Sequence, residues 1–203
     1  RYQKLLTDAS GSKLLSDEDL AKATVYDFNQ NAGSIPGSQG GMNSVANTRS
    51  FPFLFGADLS VNLGTVGPCG VLLPHVHPRA HEFFVVVDNE VTFGTNLEIG
   101  LLGDRSPTPE FVGKLTKNTG TLFPQGAVHY QINDSQNCKP STVVVFFTSD
   151  DPGTTTVLQE PVGGGNATTL GRREVGRSGF EAVRAVTPPH IVKMADACFE
   201  RCN

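Results

Sequence analysis

The chain has 203 residues, with 16 Lys and Arg against 20 Asp and Glu, for a formal net charge of −4. That mild acidity excludes nucleic acid as a partner, which needs a clustered basic surface, and the one dense basic spot, Arg172, Arg173 and Arg177, is too small to alter this. No apolar run approaches the roughly 20 residues of a membrane span, and 22 Gly with 13 Pro at 18% charged residues favour a turn-rich all-β chain over a helical bundle.

Residues 1–50 are read as an N-terminal arm. Within it Ser16-Asp17-Glu18-Asp19 opens a short helix with a capping-box pattern, and residues 30–50, rich in Asn, Gly and Ser, are expected to be irregular. From residue 51 the texture changes. Runs of β-branched and aromatic residues at Leu59–Val66, Gly70–His77, Glu82–Phe93, Leu97–Leu102, Gly120–Phe123, Val128–Asn133 and Thr142–Thr148 predict strands separated by Gly, Pro and Asn turns. Strands at this spacing predict a sandwich or barrel over residues 51–160. The strand signal fades after Asp150-Asp151-Pro152-Gly153, and residues 161–203 are read as a helical extension. There Ser178 is the expected cap of a short helix to Ala185, and Thr187 with Pro188 at the first helical position the start of a last helix to about Glu200.

Four cysteines, Cys69, Cys138, Cys198 and Cys202, fit two disulfides and an oxidising compartment, and none of their spacings is a zinc pattern. Two N-x-S/T sequons start at Asn133 and Asn166, of which Asn166, beside Gly163-Gly164-Gly165, is the better placed for a glycan. With a start at Arg1 rather than Met, these features lead to the expectation of a processed, secreted glycoprotein.

The sharpest feature lies in the β-rich region. His75-Val76-His77 sets two imidazoles at i and i+2, on the same face of a strand, where both reach one ion. Glu82 follows five residues later and opens the next strand, and His129 follows Phe123-Pro124-Gln125-Gly126-Ala127-Val128. Three imidazoles and a carboxylate suit Mn, Fe, Zn, Cu or Ni, and such a set leaves positions open on a six-coordinate ion for dioxygen, superoxide or a small acid. His81 alternates to the opposite face and is read as facing solvent or an interface; His190, in the first turn of the last helix, as a packing or surface residue.

These strings resemble the two motifs of the cupins, and more closely those of germins and spherulins. Pro74-His-Val-His-Pro-Arg-Ala-His-Glu82 is similar to the first motif and Phe123-Pro-Gln-Gly-Ala-Val-His129 to the second. Gly67-Pro-Cys-Gly70, Ser149-Asp-Asp-Pro-Gly153 and Cys198-Phe-Glu-Arg-Cys202 resemble spherulin more than plant germin, and the resemblance spans roughly residues 25–203. It implies a single cupin double-stranded β-helix (jelly-roll barrel) with C-terminal helices, Mn(II) on His75, His77, Glu82 and His129, and an oxidase or superoxide dismutase type of activity. It equally implies the alternative of a structural, storage or stress protein whose metal holds the barrel together, because cupins host many chemistries. The chain departs from the pattern at Asn89, where the first motif carries Gly, and at Leu72, where germin oxalate oxidases carry an Asn that helps hold substrate. Leu offers a dianion no donor, which weighs against oxalate.

Strand parity then predicts the barrel lining: Leu73 with His75 and His77, Leu72 beside them, Phe84 and Val86 with Glu82, Phe123 before the second motif, and Gln131 and Asn133 with His129. Gln131 is either a polar contact for a substrate, a partner to a ligand imidazole, or a packed core residue. In a cupin barrel the strand of the His pair runs antiparallel to that of the last His, and if His77 lies opposite His129 or Tyr130, that register sets Cys69 opposite Cys138. Cys198 is then left with Cys202, an i, i+4 pair that strains a helix; otherwise the pairing crosses to the C-terminus. The helices' apolar set, Phe180, Val183, Val186, Ile191, Met194 and Phe199, serves either a homo-oligomer contact or packing on the chain's own barrel.

Overall fold

The computed structural model describes residues 2–30, 40–101, 103, 110–157 and 174–202. Two antiparallel sheets face one another. One runs β1 (Gly41–Ala46), β2 (Ser60–Val66), β9 (Ser141–Phe147), β4 (Glu82–Asp88) and β7 (Thr119–Phe123). The other runs β10 (Thr155–Thr156), β3 (Val71–Val76), β8 (His129–Ile132), β5 (Glu90–Asn96) and β6 (Glu110–Thr116), with the short β11 (Glu174–Val175) also on β3. Alternation along the strands turns one set of side chains into the space between the sheets, where Val66, Leu72, Phe84, Val86, Phe93 and Phe123 meet Val143, Val145 and Phe147. This is the jelly-roll arrangement of a cupin barrel.

The outer face of the second sheet carries a second core. Val71, Leu73, Tyr130 and Ile132 project outward onto two C-terminal helices, α3 (Arg177–Val183) and α4 (Pro189–Arg201). Ile191, Ala195, Cys198 and Phe199 form the buried stripe of α4, the spacing expected of a helix lying on a sheet. Phe180 and Val183 from α3 complete that core, with Val186 and Met194 partly buried against it, so the helical apolar set packs on its own barrel. At the other end of the chain, α1 (Tyr2–Leu6) and α2 (Asp17–Thr24) form the arm, anchored by contacts of Tyr2 with Phe53 and of Tyr26 with Phe51.

Ser16 caps α2 as predicted, its hydroxyl accepting the Asp19 N–H at 3.2 Å. Other expectations need correction. Residues 41–46, read as irregular arm, form β1: its backbone pairs with all of Val61–Val66, so pairing overrides its low strand propensity. The run Glu82–Phe93 is two strands, because Asn89 adopts φ +67 and carries the chain from one sheet to the other. Its amide fixes that crossing by donating to Ser135 Oγ and to the Lys139 carbonyl. Leu97–Leu101 is a turn with Gly100 at φ +84, not a strand. β6 has no clean strand signal because its burial does not alternate: Phe111 and Val112 are both exposed, Gly113 follows them, and Leu115 alone is fully buried. Ser178 lies inside α3, whose cap is Gly176, and Thr187 spends its hydroxyl on the Val183 carbonyl while α4 starts at Pro189.

The disulfides join Cys69 to Cys198 and Cys138 to Cys202. The register pairing of Cys69 with Cys138 is therefore overturned. His75, rather than His77, lies opposite His129, and β3 holds one extra residue relative to β8 between Leu72 and His75, so the register carries Cys69 toward Asp134 and not Cys138. Cys69 N–H instead bonds the Asn133 carbonyl, which leaves Cys138 further along the following turn. Cys198 and Cys202, one helical turn apart on α4, each staple one of these two loops, and neither has to bridge to the other.

Candidate metal centre

The four expected ligands converge at one end of the space between the sheets. His75 lies near the end of β3 and His77 just past it, His129 opens β8 opposite His75, and Glu82 opens β4 on the facing sheet. One donor atom from each lies within 4.8 Å of all the others, and all four residues are buried.

Each imidazole is oriented by the backbone. His75 Nδ1 is 2.7 Å from the Leu73 carbonyl, His129 Nδ1 2.8 Å from the Ala127 carbonyl and His77 Nδ1 2.5 Å from the Gly153 carbonyl, with Thr154 Oγ1 at 3.3 Å. A carbonyl can only accept, so each Nδ1 carries the hydrogen and each neutral ring turns an Nε2 lone pair inward. The carbonyls come from non-repetitive backbone: Leu73 sits at the β3 bulge, Ala127 follows Gly126 at φ +77, and Gly153 has φ +65. Aromatic rings fix the remaining freedom. Phe123 stacks on His129 with centroids 4.2 Å apart at 5°, and Phe147 leans on His77 at 4.7 Å. Both are the cross-strand neighbours of Glu82.

Glu82 Oε2 lies 2.7 Å from His77 Nε2 and 3.1 Å from His129 Nε2. Burial pushes this carboxyl up, but hydrogen bonding and charge from His129 and His77 outweigh it and hold Glu82 well below the usual carboxylate range. Two lone-pair nitrogens this close to a carboxylate oxygen repel unless a cation stands among them, either imidazolium protons or a metal ion. Three inward Nε2 atoms and one carboxylate form a donor set that fits a divalent transition metal.

The predicted lining divides. Leu72, Phe84, Val86 and Phe123 lie in the inner core, and Gln131, fully buried on β8, follows the inward parity of His129. Leu73 does not line the site: the bulge breaks parity, and its side chain packs outward with the helices. Asn133 is structural. Its Nδ2 donates to the carbonyls of Val66 and Lys139 at 2.9 and 2.8 Å, and its Oδ1 accepts from Ser135. Fully buried and spent in this way, it is excluded as a glycan acceptor in the folded chain, while Asn166 lies outside the described residues. Gln131 partners no ligand imidazole, since the carbonyls take every Nδ1, and its amide oxygen and nitrogen are buried with no hydrogen bond among the described residues. His81 is exposed as expected and accepts the Gln125 N–H at 3.1 Å. The carbonyls of Leu73, Ala127 and Gly153, and the ring of Phe147, went unread from sequence. The glycines at 126 and 153 were the available signal for the first group, and strand parity along β9 for the second.

Comparison with known proteins accords with this geometry. The Cupin family model matches residues 29–175. Spherulin-1A of Physarum polycephalum is 32% identical over 145 residues, 71% of this chain and 53% of the relative. Germin-like protein 8-2 of Oryza sativa subsp. japonica is 29% identical over 149 residues, 73% of this chain and 62% of the relative. The chain thus spans about half the length of the spherulin it matches. Among solved structures, an oxalate oxidase superposes with TM-score 0.60 at 18% identity, covering 94% of this chain and 92% of that one. Procruciferin, an 11S globulin from Brassica napus, gives 0.56 at 20% identity over 70% of this chain and 35% of that one. At such identities the superpositions establish the fold alone.

Proposed function

This chain belongs to the cupin family, with spherulins and germin-like proteins among its relatives, and we propose that it is a secreted, Mn(II)-dependent oxidoreductase acting on a small molecule, dioxygen or superoxide. The observation that carries the proposal is the buried convergence of three carbonyl-pinned imidazoles on one carboxylate. Bound there, Mn(II) supplies a redox centre with open coordination positions. His75, His77, Glu82 and His129 hold it, the backbone carbonyls keep the rings in one tautomer, and Phe123 and Phe147 exclude water. Gln131 brings both a donor and an acceptor into the same interior, a match for a neutral or singly charged polar group. Leu72 on the inner face argues for a substrate other than oxalate. Two disulfides support an extracellular setting.

A second proposal rests on the apolar surroundings. Glu82 is the one carboxylate of the cluster among the described residues, and no further acid joins it for proton transfer. That favours a metal with a structural task, as in a storage or stress protein. Elemental analysis of the protein purified without added metal, followed by oxygen-uptake and superoxide assays, decides between them. About one Mn per chain with turnover supports the oxidoreductase. Bound metal without turnover, and a melting temperature that collapses on chelation, supports the structural role. No metal even after Mn(II) is supplied removes both.

A further inference from the structure

β4 and β9, interior strands of the first sheet, carry unbroken apolar runs, Phe83–Val87 and Val143–Phe147. A strand with one wet face alternates apolar with polar residues, and an unbroken run is the pattern of a strand buried on both faces. The inward members, Phe84, Val86, Val143, Val145 and Phe147, fill the core between the sheets. The outward members do not find a second core. Register aligns them in rungs across four strands. Val61, Phe146, Phe83 and Leu122 form one rung, and Leu63, Val144, Val85 and Gly120 the next. Phe83, Phe146 and Leu122 are 46%, 41% and 53% exposed. The Phe83 ring leans over Gly120, where a Cβ would stand 3.3 Å from Cζ, which keeps the platform level.

Neither rung holds a charged residue. Thr65 and Thr142 close the face at one end, where Asp88, opposite Thr142, is paired with Lys117 at 3.3 Å. Thr148 and His81 close it at the other. Beside β1 the fold covers this face itself: Ser44 and Ala46, opposite Leu63 and Val61, are buried, and the Tyr26 hydroxyl of the arm donates to the Val45 carbonyl. The C-terminal helices lie on the other sheet, with their apolar stripe spent on it. What remains bare among the described residues is the middle of the first sheet, an apolar patch with a polar rim, which is the anatomy of a protein contact.

We propose that this face is the contact between two copies of the chain, packed sheet on sheet about a two-fold axis. The patch needs a partner surface that is flat, apolar and free of charge, and the chain itself presents one, which is the self-complementarity of an isologous dimer. Each copy carries a net charge of −4, which opposes association wherever charges meet, and here none do. Four strands about 4.8 Å apart and four rungs about 6.8 Å apart span on the order of 500 Å² in projection. That is the larger part of the roughly 800 Å² per partner that a standard interface buries. The proposal does not depend on which metal the barrel holds or on any turnover.

The test is sedimentation equilibrium of the full, metal-loaded chain across the micromolar range. The parent is expected at twice the chain mass. F146E, at the middle of the patch, and L122K, on its edge strand, are each expected to raise the dissociation constant at least about 100-fold, because an unpaired charge is then buried in an apolar contact twice per dimer. I99E, the same kind of change at an apolar residue that is 76% exposed away from this sheet, should leave the dimer intact. Metal content should be unchanged in all three, since none of these side chains belongs to the ligand cluster. A parent that stays monomeric throughout, whether or not it sediments with neutral phosphatidylcholine vesicles, overturns the proposal. So does a dimer that survives both F146E and L122K, or one that I99E disrupts as strongly as they do. Should F146E fail to fold, L122K against the parent decides alone, with equal dissociation constants counting against the contact.

Discussion

Gln131→Leu tests the interior of the barrel with an unusual sign. A core substitution ordinarily destabilises, but Gln131 is fully buried with both amide atoms lacking hydrogen bonds among the described residues. Its cross-strand neighbours are Leu72 and Phe93, both apolar. Leaving a buried polar group unsatisfied costs about 1–3 kcal/mol, and Leu is close in volume and apolar. Q131L is therefore expected to raise stability by about 2 kcal/mol, or roughly 4–8 °C in melting temperature for a domain of this size. The assay is chemical denaturation of parent and variant after chelation, with melting scans alongside. Metal stoichiometry should be unchanged because Gln131 is not a ligand, while any turnover should fall because an amide facing that interior is gone. Destabilisation by Q131L would show that the amide is already partnered in solution, and loss of metal would show that it orients a ligand; either result refutes the argument.

Further outcomes follow from the same geometry. H77A and E82Q should each abolish stoichiometric metal binding in elemental analysis, whereas H81A, which alters an exposed ring, should leave it intact. Metal should be released on acidification, read by equilibrium dialysis, because protons compete for the same Nε2 and carboxylate atoms. C138S/C202S, which opens a loop of 64 residues, should cost about 4 kcal/mol by loop entropy in a denaturation experiment, and peptide mapping should link Cys69 to Cys198 and not to Cys138. The Arg184 guanidinium hydrogen-bonds Asp196 and holds its carboxyl below the usual 3.8. The pair's contribution is therefore present above that value and fades as the pH falls through the lowered one. The stability gap between R184M and the parent, small at pH 7, should narrow as the pH is taken below 3.8.

The ligands were legible because they are side chains on two-residue strand periodicity, and the ion-binding requirement is a statement about residue types. The strands with alternating or continuous apolar runs were legible for the same reason. What was lost depended on backbone. β1 has a sequence of small and polar residues and exists because β2 offers it a ladder. The single extra residue in β3 moved Leu73 from the inner face to the outer one, whereas Cys69 parts from Cys138 chiefly because His75, not His77, lies opposite His129. Pro74, which cannot donate to the ladder, is the one residue type at positions 72–75 that signals the bulge.

The same distinction explains the metal centre itself. A reader of sequence looks for a carboxylate or an amide behind each ligand histidine, and Gln131 was the candidate. The chain uses Leu73, Ala127 and Gly153 carbonyls instead, each delivered by a bulge or a turn with positive φ. Carbonyls cannot donate, so they fix each neutral ring in one tautomer and add no charge to the site. The consequence is that Glu82 is the one carboxylate of the cluster, and that the glycines at 126 and 153 are where backbone substitutions should disturb the metal most. Gly153→Val forces a β-branched residue into φ +65 and displaces the carbonyl behind His77. Metal affinity should drop about 10–100-fold, the size of effect typical for groups that orient a ligand, with the fold retained. Unchanged affinity in G153V would mean that His77 is held by Phe147 and Thr154 alone.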